Sequence, residues 1–189
     1  MPAKLPIVKK PDKILRKIPR DVSVADIHSP SIQEFIADMK ETLRQTPDGV
    51  GLAAPQVGES LRIFIVSDEA EEIDRAGGRR RVGELLPPHA MEENPKKLYE
   101  EREWHYYVFI NPRIKNSSRK KLDGPEGCLS VPGTFGIVPR HEKITVEAYD
   151  ETGKKFTRGA SKFVARVIQH ELDHLEGKLF IDRVKRMIK

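Results

Sequence analysis

The sequence predicts an α+β domain with a mainly antiparallel sheet. Three strand-like segments come first and a packed amphipathic helix comes late, which is the order of that class. At 189 residues, 38% hydrophobic and 33% charged, the chain is long and apolar enough for one globular domain with a true core. We therefore expect residues 1–189 to form a single catalytic domain, with a charged surface insertion at about 68–104.

The first clear helix lies in SPSIQEFIADMKETLRQTPDG, residues 29–49. Ile32, Phe35, Ile36, Met39 and Leu43 recur along one apolar stripe. Ser31 with Glu34 offers a capping box, and Pro47 with Gly49 ends the run. GVGLAAPQVG (49–58) is small and glycine-rich, so backbone there can approach another group closely. Strands are expected at LRIFIV (61–66), YYVFIN (106–111) and KITVEAYD (143–150). A second helix is expected over roughly 160–176, with Phe163 and Val167 on the same stripe as His170 and His174. Eighteen of the 37 residues in 68–104 are charged, and Gly77-Gly78 and Pro87-Pro88 break any periodicity, so this segment reads as a surface excursion.

Composition excludes several classes. No stretch approaches the roughly 20 apolar residues of a membrane span. The N-terminal MPAKLPIVKKPDK has no apolar core of a secretory signal. One cysteine rules out an intramolecular disulfide and fits a reducing compartment, so we expect a cytoplasmic protein of bacterial type. The net charge of +5 is modest and concentrated at the two ends and in Arg79–Arg81. It reads as solvated surface, with weak attraction to a polyanion such as ribosomal RNA as the alternative. Nothing suggests sequence-specific nucleic-acid binding.

The chemistry sits in QHELDHLEG, residues 169–177. His170 and His174 are four apart, so on a helix both imidazoles reach one point in space, with Glu171 beside it. In H-E-x-x-H, two histidines hold a metal and the glutamate handles protons for activated water. Two buried, satisfied histidines would be the plainer reading. The metzincin pattern continues to a third histidine, but Phe180 stands at that position. Only 15 residues follow His174, and their carboxylates, Glu176 and Asp182, have no recognised spacing. Upstream, Cys128 in GPEGCLSVPG is the remaining candidate. A lone cysteine is commonly a buried structural thiol, but beside this helix a Cys-His-His site is the better reading, because thiolate binds divalent iron and zinc strongly.

At these residues the sequence resembles the peptide deformylases. GVGLAAPQ (49–56), EGCLS (126–130) and QHELDH (169–174) are similar to the family's three motifs, in order. PDKILR (11–16) and GKLFIDR (177–183) are similar to flanking family segments. The resemblance implies antiparallel sheets around a central metal-bearing helix. It implies one divalent metal ion held by Cys128, His170 and His174, natively Fe(II), with zinc, nickel or cobalt able to take the same place. Glu171 is implied as general acid and base, with the Gln56 side chain and the Leu129 backbone N–H as donors to the formyl oxygen. Without the motif, Gln56 reads as an exposed loop amide.

The implied reaction removes formyl from the initiator N-formylmethionine of new polypeptides. Val50 and Gly51 are implied to pair with the peptide backbone. A methionine pocket is implied near Val50, Glu126, Phe163 and Val167. Partners are expected to be N-formyl-Met peptides and nascent chains, with at most weak ribosome contact, and the protein is expected as a monomer. Two departures from the family stand out: GTFG (133–136) replaces a stretch that is basic in many relatives, and 68–104 is longer than usual. Two other classes compete, a metalloprotease cutting internal bonds and a silent metal-stabilised module. The absent third histidine argues against the first, and the presence of Glu171 against the second.

Overall fold

The computed structural model describes residues 1–46, 49–75 and 103–188. The described residues form, in chain order, α1 (Pro30–Arg44), β1 (Gly51–Ala53), β2 (Ile63–Ser67), α2 (Glu69–Arg75), β3 (Tyr106–Ser117) and β4 (Lys121–Cys128). They continue with β5 (Val131–His141), β6 (Lys143–Tyr149), β7 (Lys155–Ser161), α3 (Lys162–His174) and β8 (Arg186–Ile188). One sheet runs β1-β2-β3-β6-β7 and a second runs β4-β5-β8. Neighbouring strands in both are antiparallel. The α+β class expected from the sequence is the one that forms.

The larger sheet is covered on both faces, which explains why β2 is apolar from Ile63 to Val66. On one face Ile63 and Ile65 pack with Ile36, Met39 and Leu43 of α1. On the other, Phe64 and Val66 pack with Val164, Ala165 and Ile168 of α3. Alternate residues of a strand point to opposite faces, so a strand with two apolar neighbours loses polar alternation. Phe64 and Phe109 stack with centroids 4.6 Å apart on the α3 side. Burying each such side chain contributes roughly 1.5–3 kcal/mol.

Local signals explain most boundaries. The α1 stripe buries Ile32, Ile36, Met39 and Leu43 as expected, with Phe35 half-buried. The cap differs: Ser29, not Ser31, precedes the helix and accepts a hydrogen bond from the Ile32 N–H at 3.4 Å. Pro30 is the reason, since proline is preorganised for the first helical position and needs no N–H partner there. The expected stop at Pro47 lies outside the described residues. The excursion expected from residue 68 begins instead with α2, which buries Ala70 and Ile73 and packs on α3. Residues 76–102, including Gly77-Gly78 and Pro87-Pro88, lie outside the described residues.

The smaller sheet was not legible in the sequence. Gly124, Pro125 and Gly127 erase the apolar alternation of β4, yet it pairs with β5 from Lys121↔His141 to Gly127↔Phe135. The register then shifts at Cys128, which pairs with Val131 across a tight turn. Such an irregularity re-aims a side chain, and here it leaves the thiol of the last strand residue facing α3.

The cap assignment can be tested by urea denaturation. Ser29→Ala is expected to cost about 1 kcal/mol, whereas Ser31→Ala is expected to lie within about 0.5 kcal/mol of wild type.

Candidate metal centre and active-site cleft

Helix α3 is buried along nearly its whole length, because the large sheet lies on one side and β4 and β5 on the other. His170 and His174 therefore project from one face of a helix that cannot tilt freely. Their rings lie edge to face, 5.1 Å between centroids. Cys128 Sγ approaches His174 Nε2 at 3.3 Å. One ligand atom from each of Cys128, His170 and His174 falls within 4.8 Å of the others.

This donor set fits a divalent metal ion. Ligands held 2.0–2.3 Å from one tetrahedral ion lie about 3.5 Å apart, close to the Cys128–His174 separation. Two imidazoles and a thiolate suit iron or zinc. His170 Nδ1 faces a Glu126 oxygen at 3.0 Å, so its other nitrogen is directed at the cluster. His174 Nδ1 is buried without a hydrogen-bond partner. Burial, and then the neighbouring His170, press His174 well below the usual imidazole value and keep it neutral, the ligating form. Burial works the same way on His170, but hydrogen bonding to Cys128 and Glu126 outweighs it and draws that group up.

Glu126 owes its state to two arginines. It is 7% exposed and accepts from Arg140 Nε at 2.8 Å and Nη2 at 2.9 Å, and from Arg166 Nη1 at 2.8 Å. Burial alone would raise its carboxyl, but the Arg140 and His170 hydrogen bonds prevail and hold it at about 2. Arg140 also reaches Asp173 at 2.5 Å, and Asp173 is gripped in turn by Arg183 at 2.6 and 2.8 Å. A chain of ion pairs thus runs behind both histidines. Glu126 does line the cleft, as expected, but both its oxygens are committed to these partners. One of them, Oε2, faces His170 Nδ1 at 3.0 Å.

Glu171 is 3% exposed, and one carboxylate oxygen has no hydrogen-bond partner. Burial pushes its carboxyl up to about 7, with His170 opposing and Glu126 adding to the rise. Its position is set by a glycine. A Cβ built on Gly51 would lie 2.4 Å from Glu171 Oε1 and 2.9 Å from Cδ, so any side chain there would occupy the glutamate's place.

Gln56 is 1% exposed, which removes the loop-amide alternative. Its oxygen accepts the Ala53 N–H at 2.9 Å. Its amide nitrogen, left facing the cluster, donates to Ser130 Oγ at 3.3 Å and lies 3.5 Å from Cys128 Sγ.

These groups share one cleft of about 380 Å³. Val50, Gly51, Gln56, Cys128 and Leu129 line it. Phe163, Val167, His170 and Glu171 belong to the helix side, while His174 is sealed behind them. Sequence reasoning missed Arg140, Arg166, Asp173 and Ser130. Arg140, in VPRH, looks like any surface arginine, and only Asp173, inside HELDH, carried a local signal.

The comparisons with known proteins agree with this architecture. A family model described as polypeptide deformylase matches residues 4–189. Peptide deformylase 2 of a Nostoc species is 40% identical over 184 residues, covering 97% of this chain and 88% of that protein. Peptide deformylase 1A, chloroplastic/mitochondrial, of Arabidopsis thaliana is 38% identical; the match covers 94% of this chain and 60% of that longer protein. Among solved structures, the Met-Ala-Ser-bound class I type b peptide deformylase of Acinetobacter baumannii superposes with a TM-score of 0.76. It is 32% identical, and the alignment covers 97% of this chain and 100% of that one. With these matches extending over nearly the full sequence, the chain belongs to the polypeptide deformylase family.

Proposed function

We propose that this cleft hydrolyses the formyl group from N-formylmethionine at the start of newly made polypeptides, releasing formate, with Cys128, His170 and His174 as ligands of one divalent ion. The convergence of those three donors beside a buried glutamate carries the reading. Ferrous iron is the proposed native ion, with zinc, nickel or cobalt as substitutes. Thiolate and imidazole donors support that set. Bound there, a divalent ion supplies Lewis acidity and brings water toward a pKa of about 7.

The protein's own groups do the rest. Glu171 takes a proton from the water that attacks the formyl carbon and returns it to the departing nitrogen, so the C–N bond breaks to give a free amine and formic acid, which ionises to formate at neutral pH. A carboxyl near neutrality suits both halves of that task. The Gln56 amide and the Leu129 N–H donate to the formyl oxygen as it gains charge, each worth roughly 3 kcal/mol. Val50 and Gly51 pair with the extended peptide, while Phe163, Val167 and Val50 receive the methionine side chain. The protein is proposed to act on nascent chains as a monomer. We place that activity in the bacterial-type cytoplasm. No helix among the described residues is long and apolar enough to cross a membrane.

Formate release from formyl-Met-Ala-Ser by protein loaded anaerobically with Fe(II) tests the reading. Glu171→Ala is expected to lose about 10²–10⁴-fold in kcat while keeping its metal. Cys128→Ala is expected to lose activity together with bound iron, measured by elemental analysis. No formate from folded, iron-loaded wild type would sink the proposal.

Two further variants probe the supports. Gly51→Ala is expected to lower kcat by about 10²-fold by displacing Glu171, with metal content unchanged. Glu126→Gln is expected to weaken metal affinity by about 10–100-fold, read by competition with a chromogenic chelator.

A further inference from the structure

Helix α3 starts in a way that its own residues do not support. Ser161 stands at the N-cap but makes no side-chain capping hydrogen bond. Lys162 follows with a left-handed φ of 49°, uncommon outside glycine. A start of this kind persists only where contacts from elsewhere hold it. Here the Lys162 N–H donates to the Glu142 carbonyl at 2.8 Å, and the Phe163 N–H donates to Asp74 Oδ1 at 3.4 Å. Asp74 thus does from α2 what a capping side chain does from within a helix, satisfying one of the orphan N–H groups of the first turn.

In its own helix Asp74 is badly placed. It lies in the last turn of α2, where the carbonyl end disfavours an acid. Facing α3, the same carboxylate meets the positive end of a longer helix. Its approach is fixed because α2 packs on α3, Ala70 and Ile73 are buried, and Arg158 of β7 bonds to Glu71. The charged excursion that begins at residue 68 therefore delivers a carboxylate to the start of α3.

The residue held in this way faces the cleft. Phe163 lines the cavity and is half-buried against the core cluster shared by β2 and α3. Val167, one turn on, is 5% exposed and belongs to that cluster, so the core holds it independently. His170 and Glu171 stand about two turns along. Loosening the first turn therefore moves Phe163 and leaves the metal ligands and the glutamate in place.

Building on the deformylase reading, we propose that Asp74 is a positioning residue for recognition of the methionine side chain. By capping α3 from α2 it fixes the Phe163 ring as part of the pocket that receives that side chain. Asp74 does not line the cleft itself. It acts through binding of the first residue, not through the chemical step.

The test compares formyl-Met-Ala-Ser with formyl-Ala-Ala-Ser, whose methyl side chain offers the ring little to hold. In Asp74→Ala the kcat/KM ratio of the methionine to the alanine peptide is expected to fall about fivefold, through a higher KM for the methionine peptide. Its kcat and bound iron are expected to stay within about twofold of wild type. Asp74→Asn, which keeps an acceptor, is expected to retain the wild-type ratio. Asp74→Leu, of similar shape without an acceptor, replaces the alanine variant if circular dichroism shows that variant unfolded. Amide hydrogen exchange adds a second readout: the Phe163 N–H is expected to exchange faster in Asp74→Ala, and the Glu171 N–H at an unchanged rate. No preference for the methionine peptide in wild type, an unchanged ratio in Asp74→Ala, or an equal loss on both peptides overturns the proposal. Failure of wild type to release formate from either peptide would instead remove the deformylase reading, and the positioning role with it.

Discussion

The buried carboxylate of Glu126, clamped between Arg140 and Arg166, is the interaction on which the candidate metal centre depends. Taking a charge out of water costs several kcal/mol unless geometry and hydrogen bonds compensate. Here a bidentate arginine and a second guanidinium provide that compensation, and the spare acceptor capacity holds His170. Three elements meet in this one group: β4 supplies the carboxylate, β5 supplies Arg140, and α3 supplies Arg166 and His170. Because Cys128 lies two residues beyond Glu126 on β4, whatever fixes the carboxylate against α3 also delivers the thiol to His174.

The same arrangement explains the unusual burial of α3. A surface helix would show one apolar stripe and a solvated back. Here Arg166, Gln169 and Asp173 occupy the side turned toward the smaller sheet, and each is 8% exposed or less. Gln169 exchanges hydrogen bonds with both backbone groups of His141, acting as one more rung beside β5. The helix is therefore held by apolar packing on one side and by paired polar groups on the other. Such a mount resists rotation, and rotation is the movement that would separate the two histidines from the thiol. Small residues complete the fit, since Gly51 leaves room for the Glu171 carboxylate.

Much of the site could be read in the order of residues. The spacing of His170, Glu171 and His174 implies a shared face on any helix, because helical geometry is local. The apolar run at Ile63–Val66 and the stripe of α1 were likewise visible, since they answer to periodicity alone. The helix cap was misplaced by two residues: Ser31 has the right chemistry, but Pro30 moves the start to Ser29. The smaller sheet escaped notice because glycine and proline in β4 leave no alternating pattern; its strands exist through their pairing with one another.

The sequence by itself determined the α+β class, the paired histidines with their glutamate, and the candidacy of Cys128 as third ligand. These follow from composition, from period and from a single thiol, none of which needs a partner in space. Only the tertiary structure decided that Glu126 serves His170, that Arg140 binds two carboxylates at once, and that the Gln56 amide is buried facing the thiol. It also decided that Asp74 of α2 accepts the Phe163 N–H at the start of α3. The reason is physical: charge pairing, desolvation and shape depend on distances between residues far apart in the chain, and those distances exist only once the two sheets close around the helix.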